Sequence, residues 1–268
     1  METEAARSER GNMSRPQNID ELLRGWPYQG DASNVRIVPG DDGRDLIQMR
    51  VDMGLLQMET TGRPDGVRPK GSDTFYDHLL GLALEGGSDD GPDAVGRPFV
   101  MDEGQCAQAD REFVQFYHRR VCWLQLRRYR EAVADADHTL SLMDFCKRHS
   151  PDPQWTMSHE QYRPYVLYHR TYGTAMAELE ASGAEAAIHS LNQGLSRLRL
   201  LFDQYGAGEH FEEDELVTQL VELRERLRKE FDVGRTLQEQ LNDAIAAERY
   251  ELAARLRDEI AQRDEPRH

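Results

Sequence analysis

The chain has 268 residues, with 33 Lys and Arg against 49 Asp and Glu, a formal net charge of −16 and a pI near 5.0. A chain this acidic does not coat DNA through bulk electrostatics, and its total charge does not draw it to an anionic membrane, because both need clustered positive charge. Hydrophobic residues make up 38% and mean hydropathy is −0.75, low for one compact globule, so part of the chain is expected as linker or solvated helix.

The charge is unevenly spread: residues 1–110 carry net −10, residues 111–207 net +1 and residues 208–268 net −7. Two acidic ends flank a nearly neutral middle. Residues 1–17 read as a disordered tail. A short helical stretch runs from Ile19 to Arg24, and the β-branched run Val35, Ile37, Val38 follows. Pro39-Gly40-Asp41-Asp42-Gly43 is a turn. Leu46 to Met58 then alternates at first, with Ile47, Met49, Val51 and Met53 on one face and Gln48, Arg50 and Asp52 on the other. Period two predicts a hairpin or small antiparallel sheet with one wet face. Gly62-Arg63-Pro64-Asp65-Gly66 is a second turn, and Ser72 is placed to cap a helix over 73–85. Residues 86–104 collect Gly, Asp and Pro and read as the main linker.

From Ala109 the period becomes helical. Phe113, Phe116, Tyr117, Val121 and Leu124 stripe one helix. Ala132, Val133, Ala136, Leu140 and Met143 stripe a second, which Ser150-Pro151-Asp152-Pro153 ends. Tyr165, Tyr168, Tyr172, Ala175, Met176 and Leu179 mark a third. Ala187 to Phe202 marks a fourth, and Leu216, Leu220, Leu223 and Leu227 a fifth. The helix pairs around Ala132 and Ala187 loosely resemble tetratricopeptide repeats. The two alanines are 55 residues apart, however, against ~34 for that repeat, and Arg120 stands where a small residue is expected. A repeat-like bundle would offer a concave face suited to peptides.

Arg119, Arg120, Arg127, Arg128 and Arg130 interleave with Tyr117, Trp123 and Tyr129. The sharp reading is a nucleic-acid or phosphopeptide patch, since Arg stacks and pairs bidentately. The bland reading is a solvated helix end balanced by Glu131, Asp135 and Asp137. The bland one is favoured, because the chain has only three lysines (Lys70, Lys147, Lys229) and Arg predominates everywhere.

Near the C-terminus, Leu237, Leu241, Ala244 and Ile245 stripe one short helix. Tyr250, Ala253, Ala254, Arg257 and Ile260 line one side of the next. Two such helices bury these stripes against each other, the alanine pair allowing close approach. With Glu248, Glu251, Leu256 and Asp258, this stretch resembles the UVR motif. That motif is the helical hairpin of the nucleotide-excision-repair helicase subunit and its nuclease partner, found also in activators of bacterial protein-arginine kinases. The run Gln48 to Glu59 with Gly62 to Gly66 is also similar to that of planctomycete-type UVR-motif proteins. The resemblance implies a protein-contact hairpin, and no enzymatic activity comes with it. Its candidate contact residues are Leu241, Ile245, Tyr250, Ala253, Ala254, Arg257 and Ile260.

Catalytic and metal signatures are missing from the sequence. The order Lys70-Gly71-Ser72 breaks a Walker loop, and two prolines remove amide donors. Asp41, Asp42 and Asp45 lack the closing Glu of a calcium loop. The nine histidines lack metal spacing with Cys or carboxylates. Three isolated cysteines, Cys106, Cys122 and Cys146, suit a reducing cytosol. Met1 to Arg15 is polar, unlike a signal peptide, and no run approaches the ~18 apolar residues of a membrane span.

The expectation is an α+β cytoplasmic protein: a tail (1–17), a small α+β module (18–85), a linker (86–107), a tetratricopeptide-like helical domain (108–207), and C-terminal helices (208–268) holding the hairpin (237–262). It is expected to be a non-catalytic adaptor without cofactor or metal, docking a protein partner and compatible with homo-oligomers. The alternative is an accessory factor in DNA repair that touches nucleic acid locally through Arg119–Arg130.

Overall fold

The computed structural model describes residues 18–30, 34–84 and 99–264. The expected tail at 1–17 and residues 86–98 of the expected linker lie outside the described residues. The chain divides into two compact units, Met1–Met58 and Glu59–His268.

The first unit holds α1 (Asp20–Gly25) and a three-stranded sheet of β1 (Val35–Pro39), β2 (Asp45–Val51) and β3 (Gly54–Glu59), ordered β1-β2-β3. β1 and β2 pair antiparallel, with Val35 opposite Met49 and Pro39 opposite Asp45. Gly43, at φ +83, supplies the left-handed residue of the turn between them. The 46–58 run is two strands, broken by a turn at Asp52–Met53.

The expected wet face is not wet: Gln48 and Arg50 are buried. Arg36 Nε and Nη2 donate to Gln48 Oε1 at 2.9 and 2.7 Å, and Gln48 Nε2 donates to Gln57 Oε1 at 2.9 Å. A side-chain ladder thus crosses all three strands. The segment around Trp26 reaches this face. Its ring lies 4.1 Å from the Arg36 guanidinium, and its carbonyl accepts from Arg50 Nε at 3.0 Å. The polar side chains are buried because they satisfy one another.

The second unit is helical: α2 (Phe75–Leu84), α3 (Glu103–Gln125), α4 (Tyr129–His149), α5 (Pro153–Glu160), α6 (Arg163–Ser182), α7 (Ala184–Gln204), α8 (Glu215–Phe231), α9 (Leu237–Ala246) and α10 (Tyr250–Asp264). Asp102 opens α3 in a capping box: Gln105 N donates to Asp102 Oδ1 at 2.7 Å, and Asp102 N donates to Gln105 Oε1 at 2.9 Å. Asp152 and Asp214 cap α5 and α8. Gly183, at φ +93, closes α6 and opens α7. The spacing of Ala132 and Ala187 exceeds the tetratricopeptide period for two reasons. α4 and α6, which lie between the two alanines, have 21 and 20 residues, and α5 is inserted between the two helix pairs.

Two expected boundaries differ from this arrangement. Residues 99–107 are not linker, since Phe99 and Met101 are buried and α3 starts at Glu103. α2 is not part of the β module. Its buried residues Phe75 and Leu79, one helical turn apart, join Phe99, Met101, Phe113 and Phe145 in one cluster. A ten-residue helix has too little of its own to bury, so it takes its core from α3 and α4. Nor does Ser72 cap it. Thr74 and Asp77 form the box, with Asp77 N donating to Thr74 Oγ1 at 3.1 Å and Thr74 N to Asp77 Oδ2 at 3.1 Å. Fully buried Glu112 accepts from Phe75 N and Tyr76 N at 2.7 and 2.9 Å.

The second cluster joins α6, α7 and α8 through Ala175, Ile188, Leu191, Leu198, Leu220 and others. Gly194 of α7 lies directly against Thr171 of α6, where a Cβ would overlap that side chain. We expect Gly194→Ala to destabilise the helical unit by about 1–3 kcal/mol, read as a lower urea midpoint. No change would show that α6 and α7 separate more easily than this packing implies.

His169 is buried, and its Nδ1 accepts from Arg120 Nε at 3.2 Å. Burial first, then the Arg120 charge, push its pKa from 6.5 down to about 4. The unfolded chain therefore binds the extra proton first. This contribution to stability is full above pH 6.5 and is lost as pH falls toward 4, up to on the order of 3 kcal/mol. His169→Asn keeps an acceptor and removes the proton site. Its stability curve is expected to be flatter than wild type over that window in pH-series urea melts.

Candidate functional site

α8 ends at Asp232, whose backbone is left-handed at φ +52. Four residues on, Thr236 opens α9 with a capping box. Glu239 N donates to Thr236 Oγ1 at 3.3 Å, and Thr236 N donates to Glu239 Oε2 at 2.8 Å. The other Glu239 oxygen pairs with Arg228 Nη2 of α8, and Arg228 Nη1 donates to the Gly234 carbonyl at 3.3 Å. Arg228 therefore holds both sides of the α8–α9 connection. Burial opposes ionisation of Glu239. The hydrogen bonds from Arg228 and the Thr236 amide outweigh it and hold the carboxyl below the usual carboxylate range.

α9 turns into α10 through Ala247–Arg249. Glu248 is left-handed at φ +56, and Arg249 N donates to Ala244 O at 2.7 Å. Between the helices, Ala244, Ala253 and Leu256 are buried, and Leu237, Leu241 and Leu252 pack around them. Small Ala244 and Ala253 let the two helices approach closely.

Of the expected contact residues, Leu241 and Ala253 belong to this inner seam, and Ile260 is half-buried. Ile245 is 52% and Tyr250 69% exposed, so they flank the hairpin turn on its outside. Ala254 and Arg257 are exposed too, Arg257 paired with Asp258. The α10 stripe runs through Leu252, Ala253 and Leu256, a different face from the expected Tyr250, Ala253, Ala254 and Arg257. Arg228 had no sequence signal, whereas Thr236 and Glu239 form a Thr-x-x-Glu box readable in sequence.

The five expected nucleic-acid arginines do not form one patch. Arg119 is 4% and Arg120 2% exposed. Arg119 pairs with Asp135 through Nε at 2.9 Å and Nη2 at 2.7 Å. Arg120 donates to His169 Nδ1 and, at 2.9 Å, to Thr139 Oγ1. Both are committed to the interior, because α3 packs on α4 and α6 along this face. Arg127, Arg128 and Arg130 are exposed at the α3–α4 turn. There Arg128 pairs with Glu131, and the adjoining hollow of about 360 Å³ also holds Glu180.

A wider crevice of about 1110 Å³ opens where α7 and α8 meet the start of α9. Four of its five arginines have carboxylate partners there: Arg199 with Glu212, Arg224 with Glu225, Arg228 with Glu239 and Arg235 with Asp243. Its charge is therefore largely balanced internally. Among the described residues no group of three His, Cys, Asp or Glu side chains is arranged to hold a metal ion, and no helix is long and apolar enough to cross a membrane.

The site is thus a terminal helical hairpin with a small core of its own and apolar side chains left outside at its turn. Residues 235–262, covering α9 and most of α10, match the family model of the UvrB/uvrC motif. The hairpin is a UVR motif. No curated protein and no solved structure matches the chain.

Thr236→Ala is expected to cost the α9 cap about 1 kcal/mol, read as faster hydrogen exchange in α9 with α6 and α7 unchanged. Acidification acts in the same direction. The Glu239 contribution is present above its unfolded pKa and is lost as pH falls through its lower folded value. Arg228→Met should raise exchange in α9 and weaken that acid dependence.

Proposed function

We propose that this protein is a non-catalytic adaptor that docks a protein partner through its UVR hairpin. The observation that carries the reading is the exposure of Ile245 and Tyr250 beside a turn whose inner seam is already closed by Ala244, Ala253 and Leu256. The hairpin does not need these side chains for its own seam. Large apolar groups left outside a small helical unit suit a partner surface. The acidic C-terminal segment favours a partner that presents basic or apolar surface.

The test is affinity purification from the native cell with the wild-type chain and with Ile245→Asp/Tyr250→Ser. Loss of the partner, with far-UV circular dichroism unchanged, supports the reading. Equal recovery by both chains ends it. Salt-dependent binding to single-stranded DNA, lost in Arg127→Ala/Arg130→Ala, would put the nucleic-acid reading in its place.

A further inference from the structure

The crevice of about 1110 Å³ between α7, α8 and the start of α9 is lined by five arginines and four carboxylates. One positive charge is left over, inside a C-terminal segment of net −7. Arg197 is that remainder. It is exposed, and among the described residues it has no hydrogen-bond or ion-pair partner. Two of the four pairs lie largely in solvent, Arg199–Glu212 at 42% and 72% and Arg235–Asp243 at 66% and 55% exposed, and such pairs hold weakly. The Arg228–Glu239 pair is more enclosed, at 15% and 18%. Burial works against the Glu239 charge, yet the bonds from Arg228 and the Thr236 amide keep it ionised. Glu239 stands in the first turn of α9, so the crevice already holds one anion, supplied by the hairpin itself.

That carboxylate leaves donors unused. Its Oε2 accepts from Thr236 N at 2.8 Å and Thr236 Oγ1 at 3.1 Å, and its Oε1 takes Arg228 Nη2. Arg228 Nε, 3.6 Å from Glu225 Oε1, closes no hydrogen bond. Asn192 Oδ1 accepts from Arg224 Nη1 at 3.0 Å, which fixes the amide and makes Nδ2 its free end. Nδ2 turns toward Glu239 and is buried without a hydrogen bond. Among the described residues, these two are the buried side-chain polar atoms left without a partner, and both are donors beside the same carboxylate. Buried donors are costly to leave unmade, so the place suits an anion with more acceptor oxygens than Glu239 has.

We propose that this crevice binds a small molecule bearing clustered phosphate groups, which displaces Glu239 from Arg228 and so loosens the hairpin from α8. Arg224, Arg228 and Asn192 take the phosphate oxygens that replace the carboxylate, and Arg197 adds the charge that no carboxylate balances. Arginine forks match phosphate oxygens in geometry as well as charge. Ligand binding and hairpin attachment then oppose each other by the same factor in both directions. The site needs neither Ile245 nor Tyr250, so it stands or falls apart from the adaptor reading.

The experiment is calorimetric titration of the full chain with inorganic tripolyphosphate, at low ionic strength and without divalent cations. Arg197→Gln/Arg224→Gln should bind about tenfold more weakly than wild type. Glu239→Gln keeps a capping-box residue at its position and removes the competing charge, so it should bind about tenfold more tightly. In wild type, tripolyphosphate should speed hydrogen exchange in α9 and leave α6 and α7 unchanged. Ile245→Asp/Tyr250→Ser should bind as wild type does. No binding at millimolar concentration overturns the proposal. So does Glu239→Gln binding no tighter than wild type, because the anion then sits elsewhere. Binding of single-stranded DNA through these arginines, with none of tripolyphosphate, overturns it in favour of a nucleic-acid surface. Should Arg197→Gln/Arg224→Gln fail to fold, Arg197→Gln alone, which has no partner in the fold to lose, and the Glu239→Gln comparison still decide.

Discussion

The Arg119–Asp135 pair is the interaction on which the helical unit depends most. It joins α3 to α4 with two hydrogen bonds, and both side chains are almost fully buried. The remaining Arg119 nitrogen donates to the carbonyls of Glu59 and Gly62 at 3.1 and 2.8 Å. One guanidinium therefore fixes two helices and a loop. Removing either partner would strand a charge in the interior, which costs more than the pair contributes by forming. Around it, Gln108, Glu112, Gln115 and Arg119 follow one another along a single face of α3. Arg63 donates to Gln115 and Gln108 at 3.3 Å each, and Glu112 takes the first amides of α2. The 59–76 segment is laid onto α3 by hydrogen bonds as well as by apolar contact.

That polar seam explains which parts of the structure could be read from the sequence. Helices α3, α4, α6, α7 and α8 were legible, because Phe113, Phe116, Ala132, Ala136, Ile188, Leu191 and Leu220 repeat at helical spacing and are buried as that spacing requires; the short α5, which has only one buried residue, Glu160, was not. The existence of the strands was legible from the β-branched run and the turns, but not which face is buried: Met53 of the expected dry face is 94% exposed. The placement of α2 was not legible. Its strongest tie is Glu112, 37 residues from Phe75, and a carboxylate in a helical pattern reads as solvated. The polar face of the sheet was misread likewise, since Gln48 and Arg50 look like surface until Arg36, Gln57 and Trp26 supply their partners. Hydropathy patterns register apolar burial and miss burial that is satisfied by hydrogen bonds.

The same reasoning changes the meaning of the arginine bias. Arg50, Arg63, Arg119 and Arg120 are all buried, and each donates to more than one acceptor. A planar guanidinium with five donors can do this, and an ammonium on a flexible stem does it poorly. The histidines are used comparably. His138 stacks on Phe116 at 3.7 Å and meets Glu112 at 2.9 Å, His159 stacks on Phe113 at 4.4 Å and meets Asp110 at 2.8 Å, and His149 meets the Phe99 carbonyl at 2.9 Å. Scattered in sequence, they serve the packing of α3, α4 and α5.

The hairpin is built on other terms. Its seam has three buried residues, two of them alanines, against more than ten in each of the other two clusters. Its attachment rests on the Thr236 cap and the Arg228–Glu239 pair, which are polar and local. Its motif was legible because Ala244, Ala253 and Leu256 lie close in sequence. The outer face was less so, because which α10 residues line the seam depends on how the helix packs against α9. A unit with so little apolar burial has low local stability, and anything that binds only its folded form raises that stability through mass action. The increment depends on partner concentration and affinity, not on the size of the unit. It is therefore a larger fraction of the total for the hairpin than it would be for α3 to α8, whose buried clusters are several times larger.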